Sequence, residues 1–306
     1  MWDEALMGIR KHLITYSKRA HMTILGERPD GLLGTLSPKM DHLVCFMPGT
    51  IALGATGGLP LSEAKKSPKW TRQQDEEMLL AQELMKTCWA TYKITKTGLA
   101  PEITYFQLDN PPKMMTDMYP PDNKQPPQPV SKPLDASDES GWKADIDIHR
   151  QDRHNLQRPE TAESLFYMYR ITGDETYRQW GWDMFKSFVK HTAVVEHDSY
   201  FHSSHDEASG GESAAGTHSK DHHTKDHDQG HIVGFTSLSN ADTVPPVRRD
   251  NMESFWMAET LKYFYLLFSE REFISLEEHV FNTEAHPMPR FQPSGELRTG
   301  WVRQSR

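Results

Sequence analysis

Residues 155–170, Asn-Leu-Gln-Arg-Pro-Glu-Thr-Ala-Glu-Ser-Leu-Phe-Tyr-Met-Tyr-Arg, constrain the fold more than any other stretch of the chain. Pro159 suits the first turn of a helix, where a missing N–H costs nothing. Beyond it, Leu165, Phe166 and Tyr169 follow helical spacing, so an apolar-faced helix starts here. Glu160 and Glu163 lie three apart, which places both carboxylates on one face of its first turn. Two acids in a first turn are ordinarily a solvated, dipole-matched helix start. Here large apolar residues follow at once, and the pattern of acid, serine and aromatics recurs at Met252-Glu-Ser-Phe-Trp-Met-Ala-Glu-Thr260. Two such starts suggest helix mouths converging on a polar pocket.

The charge balance supports a polar, uncharged ligand. Thirty-four basic against 43 acidic residues leave a net charge of −9, which argues against a nucleic-acid surface. No apolar run reaches the ~20 residues of a membrane span. Residues 1–10 lack the layout of a signal peptide and read as the middle of a helix.

In chain order, residues 3–20 read as an amphipathic helix and residues 26–37 as a glycine-rich turn or short hairpin. Residues 39–54 are apolar enough to be buried, with the polar pair Asp41-His42 at their mouth. Residues 73–95 form a helix, closed by Gly98-Leu-Ala-Pro-Glu102. Residues 57–72 and 109–150 are polar and proline-rich, which predicts loop insertions and solvated excursions. A hairpin of helices follows around Gly173-Asp174, then the helix from Met252 to Ser269 and a strand-like segment, residues 280–289, stopped by prolines. The tail, 291–306, is polar. Helix pairs with acidic mouths stack as a solenoid or close into an (α/α) barrel.

Residues 197–231 hold eight of the sixteen histidines but almost no apolar anchor, which favours a disordered insertion over a zinc site. Cys45 and Cys88 are the two cysteines, and sequence arithmetic alone leaves them free or paired.

Taken together, several motifs resemble the class I α-1,2-mannosidases, glycoside hydrolase family 47. They are Lys39-Met-Asp-His-Leu-Val-Cys-Phe-Met-Pro-Gly-Thr-Ile-Ala-Leu-Gly54, Pro101-Glu-Ile103, the block from Arg153 to Arg170, Asp250-Asn-Met-Glu-Ser-Phe-Trp-Met-Ala-Glu-Thr-Leu-Lys-Tyr263 and Phe281-Asn-Thr-Glu-Ala-His-Pro287. The first of these looks like the endoplasmic-reticulum branch of the family.

The resemblance implies an all-α chain forming about half of an (α/α)7 barrel, with a short C-terminal strand-like segment. It spans residues 1–290, about the second half of the family's catalytic domain, and the loop insertions 57–72, 109–150 and 202–231 interrupt it. The implied reaction is calcium-dependent hydrolysis, with inversion, of α-1,2-linked mannose on high-mannose N-glycans. Inversion needs an acid at the leaving oxygen and a base for a water on the opposite face. Glu160 matches the base and Glu102 another member of the catalytic set. His42, Arg158, Glu163, Phe255, Glu259 and Glu284 match residues that line the sugar site or surround the calcium waters. Thr283 matches the calcium ligand, through its hydroxyl and its own carbonyl. The resemblance pairs Cys45 with Cys88, implying the oxidising lumen of the endoplasmic reticulum or Golgi. The family's leaving-group acid, with an arginine near it, belongs to its first half. A rival reading of the same residues is a glycan-binding or quality-control protein that keeps the pocket without turnover, or a partial gene product.

Overall fold

Helix α1, Trp2–His12, opens the chain and stops well short of residue 20. Ile14-Thr15-Tyr16 is a β-branched and aromatic run, which favours extended backbone. It forms β1, Ile14–Tyr16, paired antiparallel with β2, Thr23–Leu25, and every side chain of the two strands is buried. The long helix expected there is therefore two elements. The computed structural model describes residues 1–120, 125–196 and 230–291. The histidine tract and the polar tail fall almost wholly outside these residues.

Strand β3, Lys39–Asp41, leads through a single 3-10 turn, His42–Phe46, into α2, Met47–Thr56, which Gly57 ends in the left-handed conformation. A four-residue helix α3, Leu61–Ala64, sits in the polar stretch before α4, Arg72–Lys93. Thr71 and Gln74 close a capping box at the start of α4, satisfying two backbone donors. Strand β4, Ile103–Phe106, pairs with β3, placing Asp41 opposite Ile103, and with β5, Ile146–Asp147; the short helix α5, Met115–Met118, lies between β4 and β5.

Next come α6, Glu160–Thr172, and α7, Glu175–Thr192, joined through Gly173, whose positive φ closes α6, and Asp174, which caps α7. Small antiparallel pairs follow: β6, Ala193–Glu196, with β7, His231–Phe235, and β8, Leu238–Asn240, with β9, Val247–Arg248. A π-helical turn, Trp256–Thr260, runs into α8, Leu261–Phe268, and the hairpin of β10, His279–Phe281, and β11, Pro287–Pro289, closes the described chain.

Helix α6 is buried on nearly all sides, the mark of a central helix. It packs against α2, α4, α7 and α8. Against α2 the approach is close enough to need glycine: a Cβ at Gly49 would lie 2.8 Å from the Tyr167 ring. Arg170, buried at the far end of α6, donates to the carbonyls of Leu266, Arg271 and Phe273 and so fastens the segment after α8.

Three expectations need correction. The chain is helix-rich rather than all-α, because its strands form five small sheets among the described residues. Residues 109–150 are not a purely solvated excursion: Trp142 and Asp145 are fully buried, and Asp145 accepts from Ser17 Oγ and the backbone N–H groups of Arg19 and Ala20. One stretch, His42–Ala64, does reach membrane-span length and apolarity, with a mean hydropathy of 1.4. It is broken at Gly57 and packed on α4 and α6, so it serves as core.

Candidate active site

The site begins where two neighbouring strands deliver two polar side chains. At the end of β3 the His42 N–H donates to the Glu102 carbonyl at 2.8 Å, just before β4. Glu102 is itself buried, and both carboxylate oxygens are engaged: one accepts from the Leu156 N–H at 3.1 Å, the other from Arg158 Nε. The Arg158 guanidinium lies 5.4 Å from the centre of the Phe255 ring, near enough for a cation–π contact. Residues 155–158 thus link the first helix mouth to the second, as the repeated pattern suggested. Thr260 adds a hydrogen bond from the second mouth to the Gln157 carbonyl at 2.7 Å.

Glu160, at the first position of α6, bonds His42 Nδ1 through its carboxylate at 2.8 Å. Burial opposes its charge, but His42, through its hydrogen bond and its electrostatic effect, then a backbone hydrogen bond and Arg158 outweigh it, so its carboxyl is held below the ordinary range. It remains a carboxylate at neutral pH. Glu163, one turn on, behaves oppositely. Burial pushes its carboxyl up to about 7, against the Tyr263 hydrogen bond, and the charges of Glu160 and Glu259 add to the rise. Glu259 is also raised, by burial first and then by Glu160 and Glu284. These carboxylates repel one another across a small space.

Thr283 and Glu284 sit in the turn between β10 and β11, and both are exposed. The Asn282 side chain accepts from the N–H groups of Glu284 and His286, at 3.0 and 2.9 Å, and so fixes the turn. Among the described residues no three His, Cys, Asp or Glu side chains are gathered so as to ligate a metal directly. The repelling carboxylates beside an oxygen-bearing turn nonetheless fit a hard cation that reaches them through water.

The model of glycosyl hydrolase family 47 matches residues 1–290. The chain belongs to this family. The family 47 chain is 40% identical over 308 residues to a mannosyl-oligosaccharide 1,2-alpha-mannosidase of Candida albicans, covering 99% of itself and 44% of that protein. It is 38% identical over 293 residues to the endoplasmic reticulum mannosyl-oligosaccharide 1,2-alpha-mannosidase of Homo sapiens, covering 95% of itself and 30% of the relative. Among solved structures it resembles the alpha-1,2-mannosidase from Trichoderma reesei, with a TM-score of 0.59 and 22% identity over 94% of the chain and 45% of that structure. The chain therefore spans less than half the length of these relatives.

The family 47 chain carries the disulfide that the resemblance implied, Cys45 to Cys88, joining the turn after β3 to α4. Sequence reading singled out His42, Glu102, Arg158, Glu160, Glu163, Phe255 and Glu259, and the fold brings them into one neighbourhood through the contacts above. Three residues there carried no flag. Tyr92 bonds His42 Nε2 at 2.8 Å, Thr161 lies 3.3 Å from the same nitrogen, and Tyr263 donates to Glu163 at 3.2 Å. A signal did exist for Tyr92, which lies one helical turn past Cys88 on the same face of α4.

Proposed function

We propose that the chain supplies the base and the sugar-binding side of an inverting α-1,2-mannosidase site, set in an (α/α)7 barrel. Its substrate is α-1,2-linked mannose on high-mannose N-glycans, in the endoplasmic reticulum or Golgi lumen. The relatives' activity and the endoplasmic-reticulum location in several of their names support this reading. The observation that carries it is Glu160: a buried carboxylate kept ionised by His42 and Arg158, beside the Arg158–Phe255 pair.

An ionised, nearly dry carboxylate is suited to take a proton from water as that water attacks the anomeric carbon. Glu102, with both oxygens engaged, contributes by holding Arg158 through its Nε, which would leave the outer guanidinium nitrogens for sugar hydroxyls. Phe255 offers the apolar face on which a pyranose packs. Thr283 would hold calcium through its hydroxyl and carbonyl, with Glu163, Glu259 and Glu284 around the ion's waters. Bound there, the ion supplies orientation for the mannose and the attacking water. We place the leaving-group acid in the part of the relatives' length that this chain does not span.

The test is an assay with a high-mannose N-glycan, run on the chain alone and on the chain combined with the N-terminal part of the Candida albicans relative. The expected result is glycan binding by the chain and calcium-dependent release of mannose, first as the β-anomer, by the combination. Glu160→Gln should lower release by about 10²–10⁴-fold while glycan binding persists. Equal release by the Glu160→Gln combination, or release of the α-anomer first, overturns the assignment. Binding by a combination that releases no mannose selects the glycan-binding alternative.

A further inference from the structure

We infer that Gln157 is a positioning residue for Arg158: it holds a left-handed pivot that turns Leu156 and Arg158 onto the two oxygens of one carboxylate. Gln157 is fully buried, and its φ of +63° lies in the left-handed region. There the Cβ of an ordinary residue crowds the backbone, a cost that glycine escapes. Its Oε1 is also buried without a hydrogen-bond partner among the described residues, which is a second cost. Both costs fall one residue from Arg158, and a strained residue of this kind persists only where its surroundings over-determine it.

The surroundings do so through three hydrogen bonds. The Gln157 N–H donates to the Asn155 side-chain oxygen at 3.0 Å, and its carbonyl accepts from Thr260 Oγ1 at 2.7 Å. Its side-chain Nε2 donates to Thr192 Oγ1, at the last residue of α7, at 3.0 Å. Asn155 is itself pinned, by its backbone to Leu238 of β8 and by its amide to the Ala100 carbonyl at 2.8 Å. Thr192 Oγ1 already donates its one proton to the Phe188 carbonyl at 2.8 Å, so toward Gln157 it accepts, and the amide presents its nitrogen. The two backbone bonds are open to any residue. The bond to Thr192 alone needs the glutamine side chain, which is why glutamine serves where glycine would take the backbone freely.

The pivot matters through its two neighbours. The Leu156 N–H donates to Glu102 Oε1 at 3.1 Å, and Arg158 Nε donates to Glu102 Oε2. Two donors on either side of Gln157 grip one carboxylate, so the chain curls around it, and Gln157 makes the curl. With the tether to α7 lost, the pivot is free to relax, and the guanidinium leaves both Glu102 and the Phe255 ring that it faces at 5.4 Å. Glu160, three residues on, is anchored separately by His42 and by the start of α6. Gln157 therefore acts on the sugar-holding side of the site rather than on the base.

This inference rests on the reading of Arg158 as a residue that holds the sugar, and its test separates the two. In the full chain, labelled with nitrogen-15, the Arg158 Nε–H resonance is identified by its loss in Arg158→Lys and reports the bond to Glu102. Thr192→Val keeps the shape of the side chain and removes the acceptor, whereas Thr192→Ser keeps the acceptor. Thr192→Val should move the Arg158 Nε–H toward the position of free arginines and speed its exchange with water about tenfold, the worth of one hydrogen bond. It should weaken binding of α-1,2-mannobiose by about the same factor, and Thr192→Ser should resemble the wild type in both respects. Gln157→Asn tolerates the left-handed backbone but falls short of Thr192, and it serves if Thr192→Val does not fold. A merely structural Gln157 would lower the melting temperature of these variants and leave the Arg158 resonance and the mannobiose affinity of the folded protein unchanged, and that result overturns the inference. So does a Thr192→Ser variant as perturbed as Thr192→Val. Should the wild type fail to bind mannobiose while the Arg158 resonance responds as expected, only the sugar-holding reading falls.

Discussion

The Glu163 carboxylate accepts a 3.2 Å hydrogen bond from Tyr263, yet its pKa is still pushed up to about 7, because burial acts first and two neighbouring carboxylates add to it. A carboxyl whose folded pKa exceeds its unfolded value binds more protons folded than unfolded. The stability it costs is absent below the unfolded value of 4.5, grows as pH rises from there to about 7, and is constant above. The full penalty is on the order of 3 kcal/mol. Chemical denaturation without added metal should show stability falling across that window, and Glu163→Gln should flatten the fall. A wild-type stability that rises between those limits would contradict the assignment.

Calcium should offset the same repulsion. With the ion present, melting temperature at neutral pH is expected to rise, and a chelator should reverse the gain. Thr283→Ala should remove the difference between the two conditions while leaving the chelated protein as stable as the wild type, since Thr283 is exposed. Calcium titration by differential scanning calorimetry checks this, and an undiminished shift in Thr283→Ala would count against Thr283 as the ligand.

Gly49 should resist substitution. Its N–H donates to Ser164 Oγ at 3.0 Å, and an alanine Cβ there would press on the Tyr167 ring and on the Ser164 backbone at 3.2 Å. Overpacking of this kind costs about 1–3 kcal/mol, and the two helices carrying these residues would have to move apart. Urea unfolding of Gly49→Ala measures it, and an unchanged midpoint would show that α2 and α6 have slack.

Asp145 tests whether residues 109–150 are dispensable. Asp145→Ala leaves the buried Ser17 hydroxyl and Ala20 N–H, and the half-buried Arg19 N–H, without their acceptor, at a cost of about 3 kcal/mol. Loss of the cooperative thermal transition, or a large drop in its midpoint, is the expected outcome. A variant as stable as the wild type would restore the view of this region as a detachable insertion.

The central helix was legible because its signals are local: Pro159, the apolar spacing of Leu165, Phe166 and Tyr169, and Gly173 at its end. So was the meeting of two acidic helix mouths, since the same pattern occurs twice. The helix expected across residues 3–20 failed at Ile14, where tertiary pairing with Thr23–Leu25 reinforced a β-prone run that periodicity alone had read as helix. Asp145 was unreadable for a different reason. Its partners lie more than a hundred residues upstream, and its neighbours look like a loop. Tyr263 was hidden by its surroundings, because an aromatic on the inner face of a helix looks like core whether or not its hydroxyl has work to do.

The Cys45–Cys88 bond has a consequence beyond stability. In the chain-entropy picture a loop spanning 43 residues is worth about 4 kcal/mol, so reduction or Cys88→Ser should lower the unfolding midpoint markedly. The two sulfurs also sit within a turn of His42 on one side and of Tyr92 on the other. One covalent link therefore joins the segment that carries the His42 ring to the helix that carries the phenol bonded to it. The same bond thereby ties the segment that carries His42, and through it the Glu160 carboxylate, to helix α4.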